Sequence, residues 1–292
     1  MIRNLVKNLL RSMGYQLSRI PRTTADQDLY RSLFRSDSIA NKRFYNIGPG
    51  AFHHPLWTNV DKPSEWYGGS QKDGQFISHD LMTLVPLPIE DGTAEIIYTS
   101  HTLEHVNDRA ADFFFADAFR VLNTHGILRV TMPDAELFFR AYQANDRDLF
   151  RLGLANVGLR EARRIGLDRP AREMSLQQLL LRVIATSVSV NSIDGSTERM
   201  SDQQVDDTFR ALPFEQALEC CISKCDLSIQ ERRPGDHLNW WNWNKLSMKL
   251  QRAGFTKVRR CGYGQSSSPV LRNTTLFDST RPESSLYAEA IK

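Results

Sequence analysis

The feature that most constrains this chain is a series of short apolar segments, beginning near Lys42, each closed by glycine or polar residues. Segments of that length and composition read as strands buried within a sheet. The pattern predicts strands over Arg43–Ile47, Trp57–Asp61, Gln75–Ser78, Glu95–Thr99 and Ile127–Met132. Between the last two, Ala110–Leu122 carries Ala, Phe and Leu on one face and Asp and Arg on the other, and it runs into Asn123-Thr-His-Gly126. That is a helix with a stop signal. Strand, helix and strand in this order form a crossover unit of an α/β sheet.

Beyond Asp134 the chain turns polar and helical to about Lys224, with Ser175–Val188 its most apolar piece. Strand patterns then return. Asn244–Ala253 predicts a helix closed by Gly254, followed by strands over Thr256–Gly262 and Ser285–Ile291. The sheet is therefore expected to be interrupted by a helical insertion at 135–235 and completed by 236–292. Such an insertion leaves and rejoins the sheet at the rim of a pocket, so it is expected to cap that pocket, with a homodimerisation arm as the alternative.

Composition narrows the function classes. With 41% hydrophobic and 24% charged residues, the 292-residue chain is ordinary globular protein rather than disordered or fibrous. Its net charge of +3 is too small to argue for nucleic acid as a partner. Cys220, Cys221, Cys225 and Cys261 lack the spacing of a disulfide framework or a zinc knuckle, and they fit buried thiols in a reducing cytoplasm. His53, His54 and His79 lack a carboxylate pair at ligand spacing, so no metal is expected.

Basic residues do concentrate at the start. Ile2, Leu5, Val6, Leu9, Leu10, Met13, Leu17 and Ile20 form one helical stripe among Arg3, Lys7, Arg11, Arg19 and Arg22, with no acid before Asp26. Residues 1–24 thus read as a basic amphipathic helix. Residues 1–22 suit peripheral contact with the anionic inner face of a membrane, and equally suit packing on the chain's own domain.

Chemistry is concentrated where the predicted strands end. Asn46-Ile-Gly48-Pro-Gly50 follows the first strand, and glycines there let backbone approach a ligand closely. Asp61 closes the second, where an acid can accept hydrogen bonds from both ribose hydroxyls. His79-Asp80-Leu81 closes the third, and Ser100-His101-Thr-Leu-Glu104-His105 the fourth. Ligands of open parallel sheets bind at these carboxyl ends.

With these motifs together, residues 43–134 and 237–292 resemble the class I S-adenosylmethionine-dependent methyltransferases. The branch they resemble is the one found with bacterial surface-polysaccharide genes. Asn59-Val60-Asp61, Pro86-Leu-Pro88, Thr102-Leu-Glu-His105, Gly126-Ile-Leu-Arg-Val-Thr-Met-Pro-Asp134 and Arg281-Pro-Glu-Ser-Ser-Leu-Tyr287 carry the likeness. It implies a Rossmann-like, seven-stranded, mostly parallel sheet whose cofactor half is residues 25–134. It also implies S-adenosylmethionine as cofactor, contacted by Asn46, Gly48, Gly50, Asp61, Asp80, Leu81, Ser100 and His101, and a saccharide hydroxyl as acceptor. Two residues depart from the wider pattern: Asn46 stands where an acid is usual, and Phe52 where a third glycine is usual.

The nine residues Gly48–Leu56 between the first two strands are too few for a full crossover helix, leaving room for a turn or two. Hydroxyl methylation often uses a base, and His101, His105 and His237 are the candidates. Trp240, Trp241 and Trp243 beside His237 are read as core. In the rival reading of the chain, a non-catalytic domain would use them to bind a glycan or a membrane-associated partner.

Overall fold

The structure is a computed structural model that describes residues 6, 10, 12, 13, 23–65, 76–152 and 157–292. Apart from a few scattered positions, the basic helix expected at the start lies outside the described residues. Among them the chain runs α1 (Thr23–Leu33), α2 (Ser36–Ala40), β1 (Phe44–Ile47), β2 (Trp57–Asp61), β3 (Phe76–Ser78), β4 (Ala94–Ser100), α3 (Asp108–Val121) and β5 (Leu122–Pro133). The insertion follows with α4 (Ala135–Gln143), α5 (Arg147–Arg151), α6 (Leu159–Arg164), α7 (Leu176–Ile184), α8 (Asp202–Ala211), α9 (Phe214–Ile222) and α10 (Leu227–Arg232). The chain closes with α11 (Trp243–Arg252), β6 (Lys257–Cys261) and β7 (Ser285–Ile291).

The strands form one seven-stranded sheet in the order β3-β2-β1-β4-β5-β7-β6. All neighbours are parallel except β7, which runs antiparallel to β5 and β6. This is the α/β architecture expected from the strand pattern. The chain reverses direction across the sheet at β1 and β4, so the carboxyl ends of these strands open onto a crevice.

One face of the sheet carries Ile47, Val60, Ile97, Leu128, Val130 and Ala288, and it packs on Phe114 and Phe115 of α3 and on Leu246 and Leu250 of α11. Helix α3 begins at Asn107, whose side chain accepts a hydrogen bond from the Ala110 amide. It stops at Val121, just ahead of the expected stop signal. Asn123–Gly126 itself extends β5, because Lys292, next after β7, pairs with this stretch through the His125 amide and the Gly126 carbonyl.

On the opposite face, residues 48–56 form turns and no helix, as their small number predicts, so this β1–β2 connection brings only Phe52 and Leu56 against the sheet. Phe44, Trp57, Ile96 and Tyr98 are otherwise covered by Tyr30 of α1 and by Val270, Leu271 and Phe277 from the β6–β7 connection. The Trp57 Nε1–H donates to the buried Tyr30 hydroxyl at 2.6 Å. Tyr30→Phe leaves that buried donor unpaired and should lower stability by about 1–3 kcal/mol in urea denaturation. A loss below about 0.5 kcal/mol would show that this bond does not hold α1 to the sheet.

The insertion builds a core of its own. Leu179, Leu180, Leu181 and Ile184 of α7, Val205, Leu218 and Cys221 pack with Ala135, Phe138 and Trp240. Asp134 starts this subdomain by capping α4, accepting from the Glu136 and Leu137 amides. Trp240 and Trp241 are buried, so they offer no stacking surface to a glycan. The four cysteines are free, with Cys221 buried. No helix among the described residues is long and apolar enough to cross a membrane.

Candidate active site

Four strand ends converge on one cavity of about 590 Å³. Gly48, Pro49 and Gly50 follow β1, Asp61 and Lys62 end β2, His79, Asp80 and Leu81 follow β3, and Ser100, His101, Thr102 and His105 follow β4; all of them line it. A volume of this order suits a cofactor-sized ligand.

The β1 turn is held by backbone and side chains together. Its Gly48 amide donates to the Val60 carbonyl at 2.9 Å, and the Asn59 amide group donates to the Phe52 carbonyl at 2.8 Å. Gly48 and Gly50 both have positive φ, +67° and +54°. A Cβ on Gly48 would stand 2.3 Å from Thr102 Oγ1, whereas one on Gly50 would meet nothing within 4 Å. The turn therefore presses against the β4 loop on one side and leaves backbone open on the other.

At the mouth, Lys62 Nζ lies 2.8 Å from Asp80 Oδ2, while Asp80 Oδ1 accepts from the Met82 amide and caps the short 3-10 turn Leu81–Thr83. Asp61 Oδ1 accepts from the Lys62 amide at 2.9 Å. Burial holds the His79 imidazole below its ordinary pKa, against the pull of Asp117 and Asp80.

The β4 end carries strain. His101 has φ +52°, a left-handed conformation that costs a side-chain-bearing residue about 1–2 kcal/mol, and its amide still donates to the Thr131 carbonyl. Both ring nitrogens are engaged. Nε2 is 2.7 Å from Ser285 Oγ and Nδ1 is 3.2 Å from Glu104 Oε1. Glu104 is only 1% exposed. Burial pushes its pKa up, but the nearby histidines, His101 foremost, outweigh this and bring it down to about 2.

His105 lines the cavity, with its Nδ1 3.1 Å from the Asp236 carbonyl and its ring edge-on to His237 at 4.8 Å. His237 itself does not line the cavity. Its Nδ1 lies 2.6 Å from the Val183 carbonyl, and burial, with His105 adding to it, pushes its pKa down to about 3.

Seven of the eight expected cofactor residues thus meet at one cavity: Gly48, Gly50, Asp61, Asp80, Leu81, Ser100 and His101. Asn46 is the exception. Side chains alternate along β1, so Asn46 is buried on the opposite side from Ile47 and is absent from the lining. The lining also includes Lys62 and Thr102, each adjacent to an expected site residue, and Leu227, Gln230, Glu231 and Pro234 from the end of the insertion. Nothing in the polar helical pattern marks those last four. The described residues of 150–225 do not line the cavity.

No family model and no curated protein matches the chain. Among solved structures it is similar to a SAM-dependent methyltransferase from Thermotoga maritima, at 13% identity and TM-score 0.39 over 92% of this chain and 89% of that one. It is also similar to methyltransferases from Mesorhizobium loti (12% identity, TM-score 0.37, 86% of this chain and 90% of that one) and Archaeoglobus fulgidus (9%, 0.38, 92% and 93%).

Proposed function

We propose that the chain transfers a methyl group from S-adenosylmethionine to a hydroxyl, with a saccharide as the acceptor class. The observation that carries this reading is the meeting of the glycine turn, Asp61, Asp80 and Ser100-His101 at one cavity. These are the positions that the sequence resemblance assigns to the cofactor, and they come from four separate strands. The saccharide rests on the resemblance to the polysaccharide-associated branch.

When bound, the cofactor supplies a methyl group activated by a positive sulfonium. The chain's own residues bind and orient. Gly48 and Gly50 offer close backbone approach, Asp61 offers a carboxylate to the ribose hydroxyls, and Leu81 and Met82 offer an apolar wall for a base. Asn46, turned to the other side of β1, takes no part in these contacts. Leu227, Gln230 and Pro234 close the acceptor side and exclude water. His101, with both ring nitrogens engaged, is a positioning residue for the loop. The proton leaving the acceptor goes to His105, which faces the cavity and whose Nδ1 is held by the Asp236 carbonyl.

Calorimetry with S-adenosylmethionine and its demethylated product tests the reading. The wild-type chain should bind both, and Asp61→Ala should weaken binding roughly ten- to a hundredfold, the loss of about 1.5–3 kcal/mol of charge-assisted hydrogen bonding. Absence of binding by the wild-type chain would overturn the cofactor assignment. Unchanged affinity in a folded Asp61→Ala variant would remove Asp61 from the site.

A further inference from the structure

We infer that Glu104, His105 and His237 form a binding site for a divalent transition-metal ion at the wall of the cavity. One ligand atom from each residue lies within 4.8 Å of the others. The spacing of His53, His54 and His79 gave no metal site, but this group is brought together by the fold from two distant segments.

Hydrogen bonding sets the state of both rings. A backbone carbonyl can only accept, so Nδ1–H of His105 donates to Asp236 and Nδ1–H of His237 donates to Val183. Each neutral ring then presents an Nε2 lone pair. A ring nitrogen fixed by a carbonyl while the other is left open is the arrangement that metal-ligating histidines use.

Glu104 provides the second, independent observation. It is buried, and neither carboxylate oxygen has a hydrogen-bond partner. His101 Nδ1 lies 3.2 Å and His105 Nε2 3.9 Å from its Oε1. Two imidazoles, each with its Nδ1–H spent on a backbone carbonyl, thus stand beside a buried carboxylate. A cation at this point satisfies all three.

Two imidazoles and one carboxylate suit zinc, cobalt, iron or manganese better than magnesium or calcium, which favour oxygen ligands. Ligands about 2.0–2.2 Å from an ion lie roughly 3–3.5 Å apart, so the side chains need close by only about 1–1.5 Å. Three protein ligands leave coordination positions open, and of the three His105 lines the cavity. Resting on the methyl-transfer reading, the ion would orient the acceptor hydroxyl and lower its pKa, so that the proton passes to water instead of to His105.

The test uses the full chain, stripped with a chelator and titrated with Co²⁺. Calorimetry and visible absorption follow the metal, and a separate titration follows the demethylated cofactor product. The expected result is one equivalent of Co²⁺ with a new visible band, and affinity reduced at least tenfold in both His105→Gln and His237→Gln. Circular dichroism confirms that the variants fold. If Glu104→Gln does not fold, the two histidine variants decide alone. No stoichiometric uptake, or uptake unchanged in both histidine variants, overturns the site and leaves an ion-pair network. Uptake of Co²⁺ without binding of the cofactor product upholds the metal site and overturns the methyl-transfer reading instead.

Discussion

Replacing Arg129 with alanine is expected to lower stability by about 3–5 kcal/mol, a large part of the roughly 5–15 kcal/mol available to a domain. Arg129 and Asp278 are both fully buried, with Nη2 2.5 Å from Oδ2, and Glu289 is 3.7 Å away. The same guanidinium donates to the Gln265 and Gly262 carbonyls at 2.9 and 3.2 Å. One side chain of β5 thus pins the β6–β7 connection under the sheet, and this connection covers the face that the β1–β2 turns cover only in part. Removing the cation strands two carboxylates away from water. Urea denaturation checks it, and a loss below about 1 kcal/mol would mean that water reaches the pair. Because burying ions is itself costly, Arg129→Met combined with Asp278→Leu should recover part of the loss, the remainder being the cost of leaving Glu289 without its cation.

Gly48→Ala should be far more damaging than Gly50→Ala, although both positions have positive φ. Each alanine carries about 1–2 kcal/mol of left-handed strain. At Gly48 the added Cβ also falls 2.3 Å from Thr102 Oγ1, which lies 3.3–3.4 Å from the Ile47, Gly48 and Ser100 carbonyls. Thr102 must move, and the β1 turn and the β4 loop move apart with it. We expect Gly48→Ala to lower stability by about 2–4 kcal/mol and to weaken cofactor binding at least tenfold. Adding Thr102→Ala should return the part due to overlap and leave the strain. Thermal unfolding and calorimetry measure both. Equal effects at Gly48 and Gly50 would show that backbone strain alone sets the cost.

The two predictions differ in how visible their residues are along the chain. Gly48 stands out, since a glycine directly after an apolar run marks a strand end where the backbone must bend or meet a close neighbour. Arg129 does not. In Ile127-Leu-Arg-Val-Thr-Met it is one charge in a strand, and its partner is 149 positions away. The same holds at the cavity. Asp61, Asp80 and His101 are legible because they close strands, whereas Gln230 and Pro234 sit in a polar helical stretch like any other.

Strand identity, and with it the side of the sheet that binds, was determined by the sequence itself. β2 and β7 run over Trp57–Asp61 and Ser285–Ile291, the limits that apolar runs and turn residues mark locally. Hydrophobic periodicity and turn chemistry act over a few residues, so they can be read without the fold. Only the tertiary structure decided that α1 and the β6–β7 connection cover the face that the short β1–β2 turns leave largely open. It alone brings His237 against His105 and leaves Glu104 buried between histidines. Those outcomes depend on the order of strands in the sheet and on where a long insertion re-enters it. Such long-range contacts are set by packing of the whole chain, and no local pattern encodes them.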